Sequence, residues 1–157
     1  MRTIAILPLL TLVGSLAASR AAAAEPCSLL TSDEVSQILG IKSLPGRPWL
    51  GTSKVSCFFS GSGDFDLGSR TVTVMVITRA AFDFGKQMST HGPLAGRSGG
   101  VGDESYFVSV GTSYAKLGVR KGDRAFSITV TPGAGKETSD RLGDLEKDLA
   151  AKAVARL

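Results

Sequence analysis

Two hydrophobic periods occur along this chain, and each predicts a different kind of secondary structure. Thr31 and Glu34 form a capping box before apolar residues at helical spacing, and Gly40 fits the left-handed end of that helix. Helical spacing recurs in two later segments and predicts helices over Ala80–Thr90 and Ser139–Leu157. The apolar residues that share one face of the second predicted helix are Ala81, Phe84 and Met88.

Strict alternation of apolar and other residues predicts about five strands. The alternation is clearest over Thr71–Val76, where each second residue is valine. Short turns between the last three strands predict a largely antiparallel sheet with helices packed on one face. The element order is then α-β-β-α-β-β-β-α, which is an α+β fold. The predicted strands cover residues 54–59, 71–76, 106–110, 114–119 and 125–130.

The first 24 residues have the layout of a secretory signal peptide. Arg2 is a short positive region, Ile4–Ala18 is apolar, and Ala22–Ala24 offers small residues for cleavage. The apolar stretch is shorter than the roughly 20 residues that cross a bilayer. We therefore expect cleavage near Ala24, and a periplasmic or secreted protein. It should form a single domain over residues 25–157 with no transmembrane segment.

The charge of the chain argues against nucleic acid as a partner. The whole sequence has 18 basic and 14 acidic residues, a net charge of +4. Removal of Arg2 and Arg20 with the signal peptide would lower this to +2, because that segment contains no acids. A nearly neutral protein lacks the electrostatic footprint of nucleic-acid binders.

Cys27 is open to four interpretations: a lipid anchor, a metal ligand, a nucleophile or half of a disulfide. Glu25 and Pro26 precede it where lipidation needs small or apolar residues. The other soft ligands, Cys57 and His91, have no metal-site spacing, so we expect no metal and no cofactor. Two cysteines in an oxidising compartment favour pairing. We therefore predict a Cys27–Cys57 disulfide.

Several short motifs resemble those of small secreted proteins and lipoproteins of unknown function from high-GC bacteria. The resemblance covers most of the chain after the predicted signal peptide, and it implies an exported α+β domain but no activity. Unlike many such proteins, this chain lacks a lipidation motif. The matching stretches are Pro26–Thr31 with Glu34 and Gly40, Cys57–Phe58, Gly100–Glu104, the turn Lys121–Asp123 and the alanine-rich last helix.

A glycine-rich loop is the first candidate functional site. Gly96–Gly100 fits the G-x-S-x-G pattern of serine hydrolases, but no histidine follows it. Asp64 and Asp66 match only the first half of a calcium loop. We expect positive φ angles at the glycines and hydrogen bonds from backbone amides to Asp103. The candidate binding loop consists of Ser98, Gly100, Gly102, Asp103 and Glu104.

One face of the predicted three-stranded meander is the second candidate. Ala115, Leu117 and Val119 are expected to point inward, which leaves an aromatic and basic outer face. Such a face can bind single-stranded nucleic acid or an anionic glycan, although an ordinary solvated face explains the same residues. The candidate face consists of Phe107, Tyr114, Lys116 and Arg120, beside Ser127 and Thr129.

The sequence favours a non-enzymatic binding or interaction protein, since no set of catalytic residues is evident. Its partner would be an envelope or extracellular protein or a small ligand. Two alternatives remain open. One is a small hydrolase that uses Asp103, Glu104 or Ser98, and the other is a carrier of an apolar ligand. The carrier would hold that ligand in a cavity lined by Trp49, Phe82 and Phe84.

Overall fold

A computed structural model describes residues 24–49, 54–62, 68–110, 114–134 and 137–157 of the chain. Residues 1–23 of the predicted signal peptide lie outside these ranges, and so do Asp64 and Asp66 of the partial calcium motif.

The three predicted helices are present, and the bounds of the first match its local sequence signals. Helix α1 follows the capping box, in which the Thr31 hydroxyl accepts the Glu34 N–H and Glu34 accepts the Thr31 N–H. It ends at Gly40, where φ is +67°. The predicted second helix spans ten residues, and the predicted last helix ends in a short 3-10 turn, Val154–Arg156. The three helices of the described chain are α1 Ser32–Leu39, α2 Arg79–Met88 and α3 Ser139–Ala153.

The described strands form one antiparallel sheet in the order β1-β2-β3-β6-β5-β4. The predicted α+β class is confirmed, but the sheet has six strands rather than about five. The additional strand, β1, has only two residues, one of them proline, so alternation could not reveal it. The strands are β1 Arg47–Pro48, β2 Ser56–Ser60, β3 Thr71–Ile77, β4 Glu104–Val110, β5 Tyr114–Lys121 and β6 Arg124–Thr131.

Helices cover both faces of the sheet, which corrects the expectation that they gather on one. Helix α3 packs with α1 over one face, where Gly143 lies against Phe107. Helix α2 packs over the other face, where Phe82 contacts Tyr106 at a ring-centroid distance of 4.8 Å. Adjacent residues of a strand point to opposite faces, so Tyr106 contacts α2 and its neighbour Phe107 contacts α3.

Strand β2 is buried on both faces, although alternation predicted a half-buried strand. Cys57 and Phe59 belong to the core beneath α1 and α3. On the other face the Trp49 ring covers Phe58 at a centroid distance of 4.7 Å, and the Arg47 guanidinium lies 5.7 Å from the same ring. The loop and β1 thus cover a side that would otherwise face water.

The predicted disulfide is confirmed. Cys27 and Cys57 are bonded, with their Cα atoms 5.0 Å apart. The bond fastens the N-terminal 3-10 turn, Pro26–Ser28, to a buried position of β2. It closes a loop of 30 residues, for which chain entropy predicts a stabilisation of roughly 3–4 kcal/mol.

A buried acid of α3 contacts the sheet where the pairing of two strands ends. Strands β5 and β6 pair from Lys121↔Arg124 to Lys116↔Thr129, and the next N–H of β6, that of Val130, donates to Glu146 Oε1 at 3.0 Å. The side chain of Glu146 is fully buried, and its Oε2 has no partner in the described chain. Burial raises the pKa of Glu146 to about 8, so this carboxyl is mostly protonated at neutral pH.

Candidate functional site

The glycine-rich loop has the backbone conformation predicted from its sequence. Gly100 and Gly102 have φ angles of +65° and +69°. The Ser98 hydroxyl accepts the Gly100 N–H at 3.1 Å within the loop. Residues 97–100 are irregular and lead into a strand rather than a helix, so the segment lacks the strand-to-helix turn of a hydrolase nucleophile.

Asp103 fastens this loop to the turn between β5 and β6. Its carboxylate accepts the Gly122 N–H at 2.7 Å, and its own N–H donates to the Arg120 carbonyl at 2.9 Å. Gly102 approaches the same strand so closely that a Cβ would lie 2.5 Å from the Arg120 oxygen. The expected hydrogen bond from a backbone amide to Asp103 is present, and it gives this residue a structural task.

The side chain of Glu104 lies on the face of the sheet that α2 covers. It forms ion pairs with Lys86 of α2 and with Arg120, whose Nη2 is 3.0 Å from Oε2. The hydrogen bonds from Lys86 and then from Arg120 hold the pKa of Glu104 below its usual range. A carboxyl with a lowered pKa is a poor proton donor near neutral pH. Asp103 and Glu104 are thus both engaged in contacts within the fold, with different partners.

The hydrolase alternative would require Ser98 or an acid to meet His91 or a lysine. Glu104 does meet a lysine, in its ion pair with Lys86, whereas the Ser98 hydroxyl accepts a backbone N–H of its own loop. The His91 ring hydrogen-bonds to Thr90, the preceding residue, at 2.8 Å, and its side chain is exposed. The described chain does not bring these candidate residues together as a catalytic set.

The predicted sheet face is correct in part. Ala115, Leu117 and Val119 are fully buried as expected. Phe107 is misplaced in the prediction, because it pairs with Leu117 and points toward α3. The sequence of the loop before β4 does not determine which alternate residues of that strand face α3. The register of β4 with β5 determines this. The side chain of Tyr114 lies outside the described part of the structure.

The remaining members of that face differ in their contacts. Arg120 is bound to Glu104 and lies 5.9 Å from the Phe82 ring centroid. Lys116 is half-buried, and its ammonium group makes no hydrogen bond or ion pair with any described residue. Ser127 is buried and Thr129 is half-buried. Lys116 is therefore the member of this face whose charge is uncommitted.

The aromatic residues proposed for a carrier cavity do not line a single cavity. Trp49 covers Phe58 near β1, and Phe82 is sealed against Tyr106. Phe84 is 64% exposed at the surface of α2. An apolar groove exists nonetheless, and Phe84 contributes to it.

The groove lies between α2 and the sheet and has a volume of about 350 Å³. Its helix wall consists of residues 81, 84, 85 and 88, which share one face by helical spacing. Phe84 and Met88 of this wall are large, apolar and mostly exposed. The sheet side of the groove consists of Met75, Ile77, Tyr106, Val108, Lys116 and Ser127.

The sizes of the residues in one cross-strand row explain why the sheet has a depression beneath α2. The pairs Tyr106↔Gly118, Gly118↔Ser127 and Ser127↔Met75 place two small residues between two large ones. The Tyr106 ring lies over Gly118, where a Cβ would be 2.5 Å from Cζ. The depression that remains beside it has Ser127 in its floor.

The floor carries one polar group without a partner. Ser127 is 2% exposed, and its hydroxyl has no hydrogen-bond partner in the described chain. A buried polar group that stays unpaired is energetically costly, so each such case requires an explanation. Tyr106 is also buried, and burial followed by the nearby Asp83 charge raises its pKa to about 12, which keeps the phenol neutral.

Sequence reasoning found one wall of the groove and missed most of the other. The spacing of Ala81, Phe84 and Met88 identified a common helix face, but it did not indicate whether that face is covered or open. Met75 and Val108 were not singled out, and Ser127 was named only as a neighbour of the candidate sheet face. Met75 could have been identified from the sequence, because it alternates with the valines of β3 and so shares the opposite face of that strand with Thr71 and Thr73.

These features define a disulfide-linked α+β protein with an open apolar groove beneath its middle helix. Comparisons of the chain with protein-family models, with curated proteins and with solved structures found no match. Among the described residues, no helix has both the length and the apolar character needed to cross a membrane.

Proposed function

We propose that this protein is an exported, non-catalytic binding protein and that the groove between α2 and the sheet is its ligand site. The observation that carries the proposal is the exposure of the apolar helix wall. Phe84 is 64% exposed and Met88 is 53% exposed, although both stand beside an apolar depression. Contiguous exposed apolar surface commonly marks a binding site.

The groove offers enough apolar surface to hold a ligand. Complete burial of a Phe or Met side chain contributes roughly 1.5–3 kcal/mol. More than half of each side chain is still exposed, so a ligand that covers both gains on the order of 2–3 kcal/mol from them alone. Methionine adapts to varied shapes, because its side chain is unbranched and flexible. Met75 and Met88, on opposite sides of the groove, therefore suit a ligand-binding role.

The assignment of an exported protein rests on different support. Disulfides form and persist mainly in oxidising compartments, and the Cys27–Cys57 bond belongs to the fold. The signal-peptide layout of the first 24 residues agrees with this. The proposal includes the resemblance to small exported proteins of high-GC bacteria.

A non-catalytic role is supported by the structural tasks of the candidate acids. Asp103 holds a turn through Gly122, and Glu104 joins α2 to the sheet through Lys86 and Arg120. Groups committed to such contacts are not available for proton transfer to a substrate.

Titration with the uncharged fluorescent probe N-phenyl-1-naphthylamine tests the groove. We expect saturable binding by the wild type and binding at least about tenfold weaker in the Phe84→Ser/Met88→Ser variant. Leu44→Ser is the matched control, because Leu44 is also exposed, at 42%, but does not line the groove. No saturable binding, or equal binding by all three folded proteins, would overturn the proposal.

A further inference from the structure

We infer that the ligand of this groove is a single-chain amphiphile with an anionic head, and that Lys116 and Ser127 bind that head. The inference rests on the proposed function, because it specifies the ligand class of the same site. Three features of the groove carry it: an uncommitted cation, an unpartnered hydroxyl in the floor, and an otherwise apolar lining.

Among the described residues that line it, the groove carries one unpaired positive charge, that of Lys116, which favours an anionic ligand. Two other cations on this side of the sheet, Lys86 and Arg120, are both paired with Glu104. Lys116 lines the groove, and its ammonium group has no ion-pair or hydrogen-bond partner in the described chain. Lys116 interacts electrostatically with Glu146, but this acid hydrogen-bonds to Val130 on the other side of the sheet and is mostly protonated at neutral pH. The Lys116 charge thus remains available to a ligand.

The hydroxyl of Ser127 supplies a directional contact close to this charge. Lys116 pairs with Thr129, two residues along β6 from Ser127, so the two side chains share one face on neighbouring strands. A hydroxyl can donate to a carboxylate, sulfate or phosphate oxygen. A head group held by an ammonium and a hydroxyl forms charge-assisted hydrogen bonds, which are stronger than neutral ones.

The apolar part of the ligand is matched by the rest of the groove. Met75, Ile77 and Val108 line the sheet side, and Phe84 and Met88 line the helix side. The volume of about 350 Å³ lies at the lower end of the range for small-molecule sites. Ser127 is only 2% exposed, so the small head of a single-chain ligand reaches the floor more readily than the surface of a folded partner does. A single alkyl chain therefore fits better than a protein.

The test compares three amphiphiles with the same alkyl chain, below their micelle concentrations: laurate, lauryl alcohol and laurylamine. Displacement of N-phenyl-1-naphthylamine reports their affinities for the wild type and for Lys116→Gln, Lys116→Arg, Ser127→Ala and Lys147→Gln. Lys147 is an exposed lysine of α3, on the opposite side of the sheet, and serves as the control.

We expect laurate to bind about tenfold more tightly than the alcohol and more tightly still than the amine. Lys116→Gln should abolish this order, Lys116→Arg should keep it, Ser127→Ala should weaken laurate selectively, and Lys147→Gln should change nothing. Equal affinities that are insensitive to Lys116 would overturn the inference and leave the apolar groove intact. Failure of the uncharged probe as well would overturn the proposed function itself. Displacement by an acidic, leucine-rich helical peptide but not by laurate would assign the groove to a protein partner and overturn the inference.

Discussion

Gly85 of α2 lies so close to Tyr106 of β4 that a Cβ at position 85 would stand 2.0 Å from the phenol oxygen. The same tyrosine ring rests on Gly118 across the strand pair. Tyr106 is thus enclosed between two glycines, one in the helix and one in the sheet. This contact sets the distance of α2 from the sheet and therefore the depth of the groove.

Substitution of Gly85 by Ala should destabilise the protein despite the higher helix propensity of alanine. The added methyl group cannot fit unless α2 or the Tyr106 ring moves, and overpacking of this kind costs about 1–3 kcal/mol. The intrinsic gain from Gly→Ala in a helix is only about 1 kcal/mol. Urea unfolding should show a lower midpoint for Gly85→Ala than for the wild type.

Tyr106→Phe tests whether a steric clash with the phenol oxygen causes this loss of stability. It removes the oxygen nearest to the new methyl group, so Gly85→Ala should cost less in the Tyr106→Phe background. The double-mutant cycle should give a coupling energy of at least about 0.5 kcal/mol. Additive effects of the two substitutions would show that the Gly85–Tyr106 contact does not set the helix position.

The buried carboxyl of Glu146 should make the protein less stable as the pH rises from about 5 to 8. Its pKa is about 8 in the folded state and near 4.5 when unfolded. In this interval the unfolded chain has lost a proton that the folded protein retains, so unfolding becomes easier. The loss should reach several kcal/mol, at most about 5.

Glu146→Gln should flatten this profile, because glutamine can still accept the Val130 N–H but does not titrate. Asp148→Asn, which changes an exposed acid of the same helix, should keep the wild-type slope. The measurement is the free energy of unfolding in urea at a series of pH values. Parallel profiles for the wild type and Glu146→Gln would contradict the assignment of the buried proton.

The disulfide should contribute most of its stabilisation through the unfolded chain. Replacement of Cys27 and Cys57 by Ser should lower the free energy of unfolding by about 3 kcal/mol, or more where the hydroxyl introduced at the buried position 57 is left unpaired. The wild type in excess dithiothreitol should lose a similar amount. Thiol titration of the unfolded, unreduced protein should find no thiol, and two titrating thiols would show that the bond is absent.

Local signals predicted local structure, and non-local packing decided the rest. The capping box of Thr31 and Glu34 and the stop at Gly40 involve residues within one helix, so the sequence contained all the information needed. The parity of β4 depends on its register with β5, and no short motif specifies that register. Phe107 was therefore placed on the wrong face, and β1, which exists only through its pairing with β2, was not predicted.

In the candidate site, too, local sequence predicted one part and non-local packing decided the rest. Helical spacing identified the shared face of Ala81, Phe84 and Met88, but spacing cannot tell whether a face is sealed or open. The opening results from small residues of distant strands, Gly118 and Ser127, which meet in one cross-strand row. The sequence also nominated Lys116 correctly as an outward residue, since its neighbours Ala115 and Leu117 are buried.

The guanidinium of Arg156 should stabilise the N-terminal end of α1 in a pH-dependent way. Its two terminal nitrogens each lie 2.9 Å from an oxygen of Glu34, and Nη1 also donates to the Leu29 carbonyl at 3.0 Å. The hydrogen bonds from Arg156 are the largest cause that lowers the pKa of Glu34 to about 2, with Thr31 adding to it. Because the unfolded carboxyl titrates near 4.5, this stabilisation is present above that pH and is lost as the pH falls toward 2.

Arg156→Gln should therefore lower the free energy of unfolding by about 1 kcal/mol at neutral pH, a value that allows for partial solvent screening of the pair. The difference from the wild type should shrink as the pH falls from about 5 to 2, because protonation of Glu34 removes the same ion pair. Arg79→Gln is the matched control: Arg79 lies 3.9 Å from Asp83 in an exposed pair, and its loss should cost at most about 0.5 kcal/mol. Urea unfolding from pH 2 to 7 measures both variants. A difference between Arg156→Gln and the wild type that stays constant over this range would show that Arg156 acts through packing or through Leu29 alone.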